Sequence, residues 1–346
     1  MAERYEWEPS NDAIAATYGL DPADVVRFDQ NTAPDPPADA GPVAAMAALG
    51  VNEYPDASYL GLRQAAAAFV GVDPDQVVAG AGLDELILLA AQAFLATGDR
   101  SVMVSPTYSL HRLAVRRVGA TAVQVPLIAP GFDYDADSLL DAASESALTW
   151  LCVPNNPTGN RPDGDLMRAV IEATPGITVL DAAYAEVAGD DWSGWLRDHP
   201  RLVVMHTLSK GFGLAGARVG YALASPDLVA EFDDLRPPGS ISSVSVALGI
   251  AALSDPDSMR ERVAALNEER ARLFGLLLAL DLAPVPSEAN FLLCPVPAAA
   301  RVAEGLRSEG IVVRSYGPGI LSDHLRFTVR SPEQDDRLID ALRRHL

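Results

Sequence analysis

From about residue 60 to residue 225, short β-rich runs alternate with stretches of helical character. The candidate strands are QVVAG (76–80), SVMVS (101–105), AVQVP (122–126), LTWLCVP (148–154), ITVLDAAY (177–184), LVVMHTL (202–208) and VGYALA (219–224). Between them lie helix-like segments such as LDELILLAAQAFLA (83–96) and DLMRAVIEA (165–173). Alternation at this spacing predicts an α/β fold, an open and mostly parallel sheet sandwiched by helices. A long amphipathic stretch follows at 257–280. The pattern then changes to the strands ANFLLCPV (289–296), IVVRS (311–315) and LRFTVR (325–330), and closes with the helix 332–346. That tail predicts a second, smaller α+β domain. The expected division is an N-terminal arm over 1–36, a large domain over 37–238 and a small domain over 239–346. APDPPADAGP (33–42) is a Pro-rich linker, and no repeat or low-complexity tract interrupts the chain.

Composition narrows the class. A chain of 346 residues, 49% hydrophobic, holds ample core for a large domain and a smaller one. No window has the unbroken apolar length of a membrane span. The opening MAERYEWEPSND is polar and acidic, unlike a signal or transit peptide. A net charge of −21 with no basic stripe argues against a nucleic-acid partner and reads as a solubility trait. Cys152 and Cys294 sit inside apolar runs, as buried thiols do, and the five histidines have no metal-ligand spacing, so no metal is expected. These features describe a soluble cytoplasmic enzyme.

The candidate chemistry starts from one residue. Of the 26 basic side chains, 25 are arginines and the single lysine is Lys210. It follows a predicted strand and precedes GFGLAGARVG (211–220), so it stands where open α/β sheets build their sites. Only an amine can shed its proton near neutral pH and act as a nucleophile, a task arginine cannot perform. Three other strand ends carry chemistry: PNNPTG (154–159), LDAAY (180–184) and GAGLDE (80–85). Singly, each has an ordinary explanation as a turn, a helix N-cap and a flexible loop. Jointly, they supply what an electron-sink cofactor bearing an aldehyde, a ring nitrogen and a phosphate requires. Such a cofactor needs an amine for a Schiff base, a carboxylate for the ring nitrogen, donors for the phenolic oxygen and a phosphate cup.

With these residues in view, the sequence resembles the fold-type I pyridoxal-phosphate aminotransferases, and among them the histidinol-phosphate aminotransferases. YPD (54–56) with GLRQAAA (61–67), GAGLDEL, SPTYSL (105–110), PNNPTG, DAAY, TLSKGFGLAGARVGY (207–221), EANFLL (288–293) and LRFTV (325–329) occur in that family's order. The resemblance implies a large domain with a mostly parallel seven-stranded sheet and a smaller α+β C-terminal domain. It implies pyridoxal 5'-phosphate as cofactor, an amino donor and a 2-oxo acid as substrates, and a homodimer. It also implies roles. Lys210 forms the Schiff base and shuttles the proton, Asp181 pairs with the ring nitrogen, and Asn156 and Tyr184 donate to the phenolic oxygen. Tyr108 stacks on the ring. Gly82, Leu83, Thr207, Ser209 and Arg218 hold the phosphate, joined by Tyr54 from the neighbouring subunit. Arg326 grips the substrate's anionic group beside Arg314.

Departures from the family pattern bear on the substrate. The usual Asn-Glu-Asn-Pro is NTAP (31–34) here, Ala182 follows the strand aspartate, Leu83 replaces a small hydroxyl residue, and His111 replaces an aromatic. NTAP and His111 are expected on the substrate side. L-Histidinol phosphate is the leading donor; an aromatic or specialised amino acid is the alternative. A decarboxylase or lyase would share the same lysine, aspartate and phosphate cup. A cofactor-binding regulator would need an effector-reading module for which the chain has no spare length.

Overall fold

The computed structural model describes residues 9–34 and 53–346, so most of the Pro-rich linker lies outside the described residues. After a short strand near the N-terminus (β1, Val26–Arg27), the seven predicted runs become seven strands. They are β2 (Val77–Gly80), β3 (Arg100–Ser105), β4 (Thr121–Pro126), β5 (Leu148–Cys152), β6 (Ile177–Asp181), β7 (Leu202–Thr207) and β8 (Gly220–Leu223). They form one sheet in the order β2-β8-β7-β6-β5-β3-β4. The β4-β3-β5-β6-β7 ladder is parallel, whereas β8 runs antiparallel to both β7 and β2.

Alternate residues of each strand enter different apolar layers. Val102, Leu180 and Val204 belong to one cluster, while Met103, Val179 and Val203 belong to another. A strand buried on both faces is apolar at nearly every position, and β5, β7 and β8 are buried throughout, with Thr149, His206 and Thr207 as the polar exceptions. Helices cover the sheet; Leu83–Phe94 and Ser109–Arg117 are two of them. Parallel neighbours require such crossovers, and the crossovers bring the carboxyl ends of β3, β5, β6 and β7 to one edge.

Two boundaries differ from the sequence expectation for local reasons. ITVLDAAY stops being a strand at Asp181, whose Oδ1 accepts from the Ala183 N–H at 3.2 Å and turns the chain toward the short helix Ala185–Ala188. IVVRS breaks at Val313 into β10 (Ile311–Val312) and β11 (Arg314–Ser315). The first pairs parallel with β1; the second pairs antiparallel with β12 (His324–Thr328), which also pairs with β9 (Phe291–Pro295). The chain near the N-terminus is thereby tied to C-terminal elements. The amphipathic stretch is the helix Pro256–Leu278, capped by Asp255, and the last helix is Pro332–His345, capped by Ser331. Both cysteines are buried free thiols. No helix among the described residues is long and apolar enough to cross a membrane.

Candidate active site

A cavity of about 810 Å³ opens at the carboxyl ends of the parallel strands. Its walls include Asp181 from β6, Lys210 beyond β7, Leu83 and Asp84 from the helix after β2, and Arg314 and Arg326 from β11 and β12. Residues 27 and 29–32 close one side. Every other residue to which the resemblance gives a cofactor or substrate role lines this cavity except Gly82, which caps the helix beginning at Leu83, and Tyr54.

Lys210 is set by the turn that ends β7. The Thr207 hydroxyl donates to Ser209 Oγ at 3.0 Å and accepts from the Ser209 N–H at 3.2 Å, bending the chain into the cavity. The Lys210 ammonium then lies 3.5 Å from the Gln30 carbonyl and 5.8 Å from the centre of the Tyr184 ring. Although the residue is partly exposed by area, its charged end sits deep. Burial first, and the Arg326 guanidinium second, push it down to about 8, while Asp84 and Asp181 oppose the shift. Lys210 is therefore an amine that can lose its proton near neutral pH.

Asp181 is 1% exposed, and His111 shares a hydrogen bond of 2.9 Å with it through Nε2. His111 is fully buried, stacked on Trp150 with ring centres 4.8 Å apart, and is absent from the cavity wall. This corrects the expectation that His111 belongs to the substrate side. It supports the carboxylate from behind. Its Nε2 is the atom that meets Asp181, and its Nδ1 has no hydrogen-bond partner among the described residues.

The loop after β2 forms a cradle. The helix Leu83–Phe94 begins at Gly82 with no side-chain cap, so its first N–H groups remain open to an anion. Gly82 has φ +80°, and a Cβ there would lie 2.9 Å from Arg218 Nη2. A Cβ on Gly220 would lie 3.0 Å from the Leu83 nitrogen. A side chain at Gly82 would crowd Arg218, and one at Gly220 would crowd the backbone at the helix start. Arg218 is held by Asp84, 2.9 Å away, which also accepts from the Tyr108 hydroxyl at 3.0 Å.

On the opposite wall, Arg326 is 7% exposed and donates at 2.6 Å both to Asn156 Oδ1 and to the Asp29 carbonyl. With its oxygen committed to Arg326, Asn156 keeps its N–H end for another acceptor. The buried Tyr184 hydroxyl accepts from Asn31 Nδ2 at 3.1 Å. Burial, above all, raises Tyr184 beyond its ordinary range, so it stays a donor. Arg314 lies directly opposite Arg326 across the β11–β12 ladder, as expected of neighbouring strands. Tyr54 is 95% exposed and stands apart from the cavity, beside the helix Ser243–Leu253.

The sequence matches the family of class I and II aminotransferases over residues 23–342. The chain belongs to that family. It is 37% identical to a histidinol-phosphate aminotransferase of Symbiobacterium thermophilum, over 92% of this chain and 90% of that protein. It is 36% identical to an aromatic amino acid aminotransferase of Mycolicibacterium vanbaalenii, over 85% and 84% respectively. Its fold superposes on the histidinol-phosphate aminotransferase of Sinorhizobium meliloti in complex with pyridoxal-5'-phosphate with a TM-score of 0.89, at 28% identity, covering 98% and 96% of the two chains.

This aminotransferase uses pyridoxal phosphate, and the residues present fit it. An amine of lowered basicity, a buried hydrogen-bonded carboxylate and an uncapped helix start facing an arginine are the donor and acceptor set the cofactor needs. Three contributors escaped the sequence reading. Asp84 looked like an ordinary acidic residue in a helix first turn. Asn31 appeared only as part of a departure from the family pattern, yet it contacts Tyr184. Asp29 carried no signal, because it acts through a main-chain carbonyl.

Proposed function

We propose that this aminotransferase moves the amino group of L-histidinol phosphate to 2-oxoglutarate in two half-reactions at one site. The observation that carries the reading is the pair of arginines facing each other across β11 and β12, both in the cavity wall. One guanidinium fork matches a carboxylate, whereas a phosphate dianion gains from a second. Histidinol phosphate has no α-carboxylate, so its phosphate would occupy the anion site that the 2-oxo acid uses in turn. The names of the Symbiobacterium and Sinorhizobium relatives support the same donor.

Bound pyridoxal phosphate supplies an aldehyde that captures amino groups and a ring that accepts electrons. In this reading Lys210 anchors the cofactor and, once displaced, moves a proton from the donor's Cα. Asp181, braced by His111, holds a proton on the ring nitrogen. Tyr184 and Asn156 donate to the phenolic oxygen, and Tyr108 covers the ring face. The phosphate would rest on the Leu83 N–H, the hydroxyls of Thr207 and Ser209, and Arg218; the Gly82 N–H, expected to join them, donates instead to the Gly80 carbonyl at 2.8 Å.

The active unit in this reading is a homodimer in which Tyr54 reaches the neighbour's phosphate site. Two features support it: the exposure of Tyr54, and the apolar helix Ser243–Leu253 beside it, in which only Gly249 and Leu253 are buried. Mixing inactive Tyr54→Ala and Lys210→Ala subunits should restore part of the activity, since a hybrid dimer contains one intact site. An active monomer at assay concentration excludes the arrangement. The donor is tested by mixing loaded enzyme with single amino donors and following loss of the cofactor's visible absorbance. Histidinol phosphate should convert it at the lowest concentration; faster conversion by phenylalanine or tyrosine would assign the enzyme to aromatic amino acids.

A further inference from the structure

Arg330, just beyond β12, faces the departure segment rather than the cavity. Its Nη1 donates to the Thr32 carbonyl and hydroxyl, both at 3.1 Å, and to the Ala33 carbonyl at 3.0 Å. Its Nη2 donates to the Pro34 carbonyl at 3.3 Å. One guanidinium thus serves three consecutive carbonyls that belong to no helix or strand. Lysine could not do this, because its single ammonium lacks the planar fork. Arg330 is itself braced. Its N–H donates to the buried Asp335 carboxyl at 3.2 and 3.3 Å, its Nε donates to Gln334 at 3.3 Å, and Asp335 hydrogen-bonds with Glu269 of the helix Pro256–Leu278.

The residues immediately before the clamped carbonyls touch the reactive groups. Gln30 offers its carbonyl to Lys210, and Asn31 donates to the Tyr184 hydroxyl. Asn31 has φ 51°, a left-handed conformation that asparagine adopts more readily than most residues. Thr328 and Asn290 hold it from below through bonds of 2.9–3.0 Å. On its other flank, the clamp from Arg330 holds residues 32–34. The Asn31 bond also has a chemical consequence. Because the Tyr184 oxygen accepts from Asn31, the hydroxyl hydrogen must point elsewhere, and Tyr184 itself lines the cavity.

We propose that Arg330 is a positioning residue for the transamination chemistry. By clamping the carbonyls of residues 32–34 it fixes Asn31, and through Asn31 it sets the direction in which Tyr184 donates. The proposal rests on reading Tyr184 and Lys210 as cofactor contacts.

The test compares wild type, Arg330→Ala and Arg330→Lys in two measurements. The first is hydrogen exchange of the peptide spanning residues 28–34 in the holoenzyme, corrected for intrinsic rates. It is independent of any catalytic role. The second is the pH midpoint of the holoenzyme's visible absorbance, which responds to donors on the phenolic oxygen. Arg330→Ala should speed exchange of the Asn31 amide, which donates to Thr328 Oγ1, by about tenfold or more. It should also raise the absorbance midpoint by about half a pH unit or more and lower kcat with little change in the donor's KM. Arg330→Lys should fall between Arg330→Ala and wild type in both measurements. Asn31→Ala, which leaves the clamp in place, should reproduce the midpoint shift. If Arg330→Ala fails to fold, Arg330→Lys and Asn31→Ala still decide the matter by these criteria. Wild-type exchange in the arginine variants overturns the clamp. Faster exchange with an unchanged midpoint overturns the link to Tyr184. A holoenzyme whose absorbance is indifferent to both Tyr184→Phe and Lys210→Ala would instead refute the underlying site assignment.

Discussion

In the cofactor-free protein, Lys210 should behave as a weak base, and because it is the only lysine its titration can be followed without interference from another ε-amine. Its ammonium is pushed down to about 8 by burial and then by Arg326. An ordinary lysine near 10.4 is about 0.04% neutral at pH 7, whereas one near 8 is about 9% neutral, a ratio of about 230. Competitive labelling with trace acetic anhydride across pH 6–11, read by mass spectrometry of the peptide containing Lys210, gives the midpoint directly. The amino terminus, the one competing amine, is separated by its own peptide. Arg326→Leu should raise the midpoint while leaving it below that of a free lysine, since burial, the larger cause, remains. Asp84→Asn should lower it, because that carboxylate stabilises the charged form. The stability consequence has a definite sign. Between about 8 and 10.4 the unfolded chain holds a proton on Lys210 that the folded chain has released, so this residue makes folding more favourable as pH rises through that window. A midpoint near 10, or a fall on removing Arg326, would refute the account of how the site lowers this amine's basicity.

The other expectations follow from the same contacts. Asp181→Ala should cut kcat by orders of magnitude and substrate KM much less, whereas His111→Phe, which removes one donor to a buried carboxylate, should cost about 1.5–3 kcal/mol, or one to two decades in kcat; a His111→Phe enzyme at wild-type rate would reduce the pair to packing. Asp335, buried and hydrogen-bonded to Glu269, holds its proton far above the ordinary carboxylate range, mainly because of burial. The folded state therefore binds this proton where the unfolded state has lost it, and stability falls as pH rises above about 4. Asp335→Asn should raise Tm by about 2–4 °C at pH 8 and hardly change it at pH 4; a Tm lowered at both values would show that the acid pair is needed in charged form. Arg326→Ala should damage both half-reactions, and Arg314→Ala the phosphorylated donor more than 2-oxoglutarate, each loss about one to two decades in kcat/KM by single-turnover kinetics. Equal losses for donor and acceptor in Arg314→Ala would remove the argument for a phosphorylated substrate.

The sheet and the position of the lysine were readable without coordinates, because both are local properties. A strand buried on two faces is mostly apolar along its length, so β5, β7 and β8 announce themselves in any window that contains them despite Thr149, His206 and Thr207. Lys210 and Asp181 stand at the ends of such strands, and the wound topology brings strand ends to one edge whatever the details. The facing of Arg314 and Arg326 followed from strand pairing as well, although the break at Val313 did not. It arises because Ile311–Val312 turns to pair with residues near the other end of the chain. Tertiary structure alone determined the contacts made across long separations. His111 reaches Asp181 across 70 residues, and its helix position carries no mark of whether the ring faces substrate or carboxylate. Asp84 is an unremarkable first-turn acid until the fold sets Arg218 against it. Arg330 meets residues 32–34 across almost the whole chain and binds main-chain oxygens, which every residue possesses. Local periodicity is written in side-chain type, whereas a carbonyl acceptor has no type to read, and only packing determines which arginine finds it.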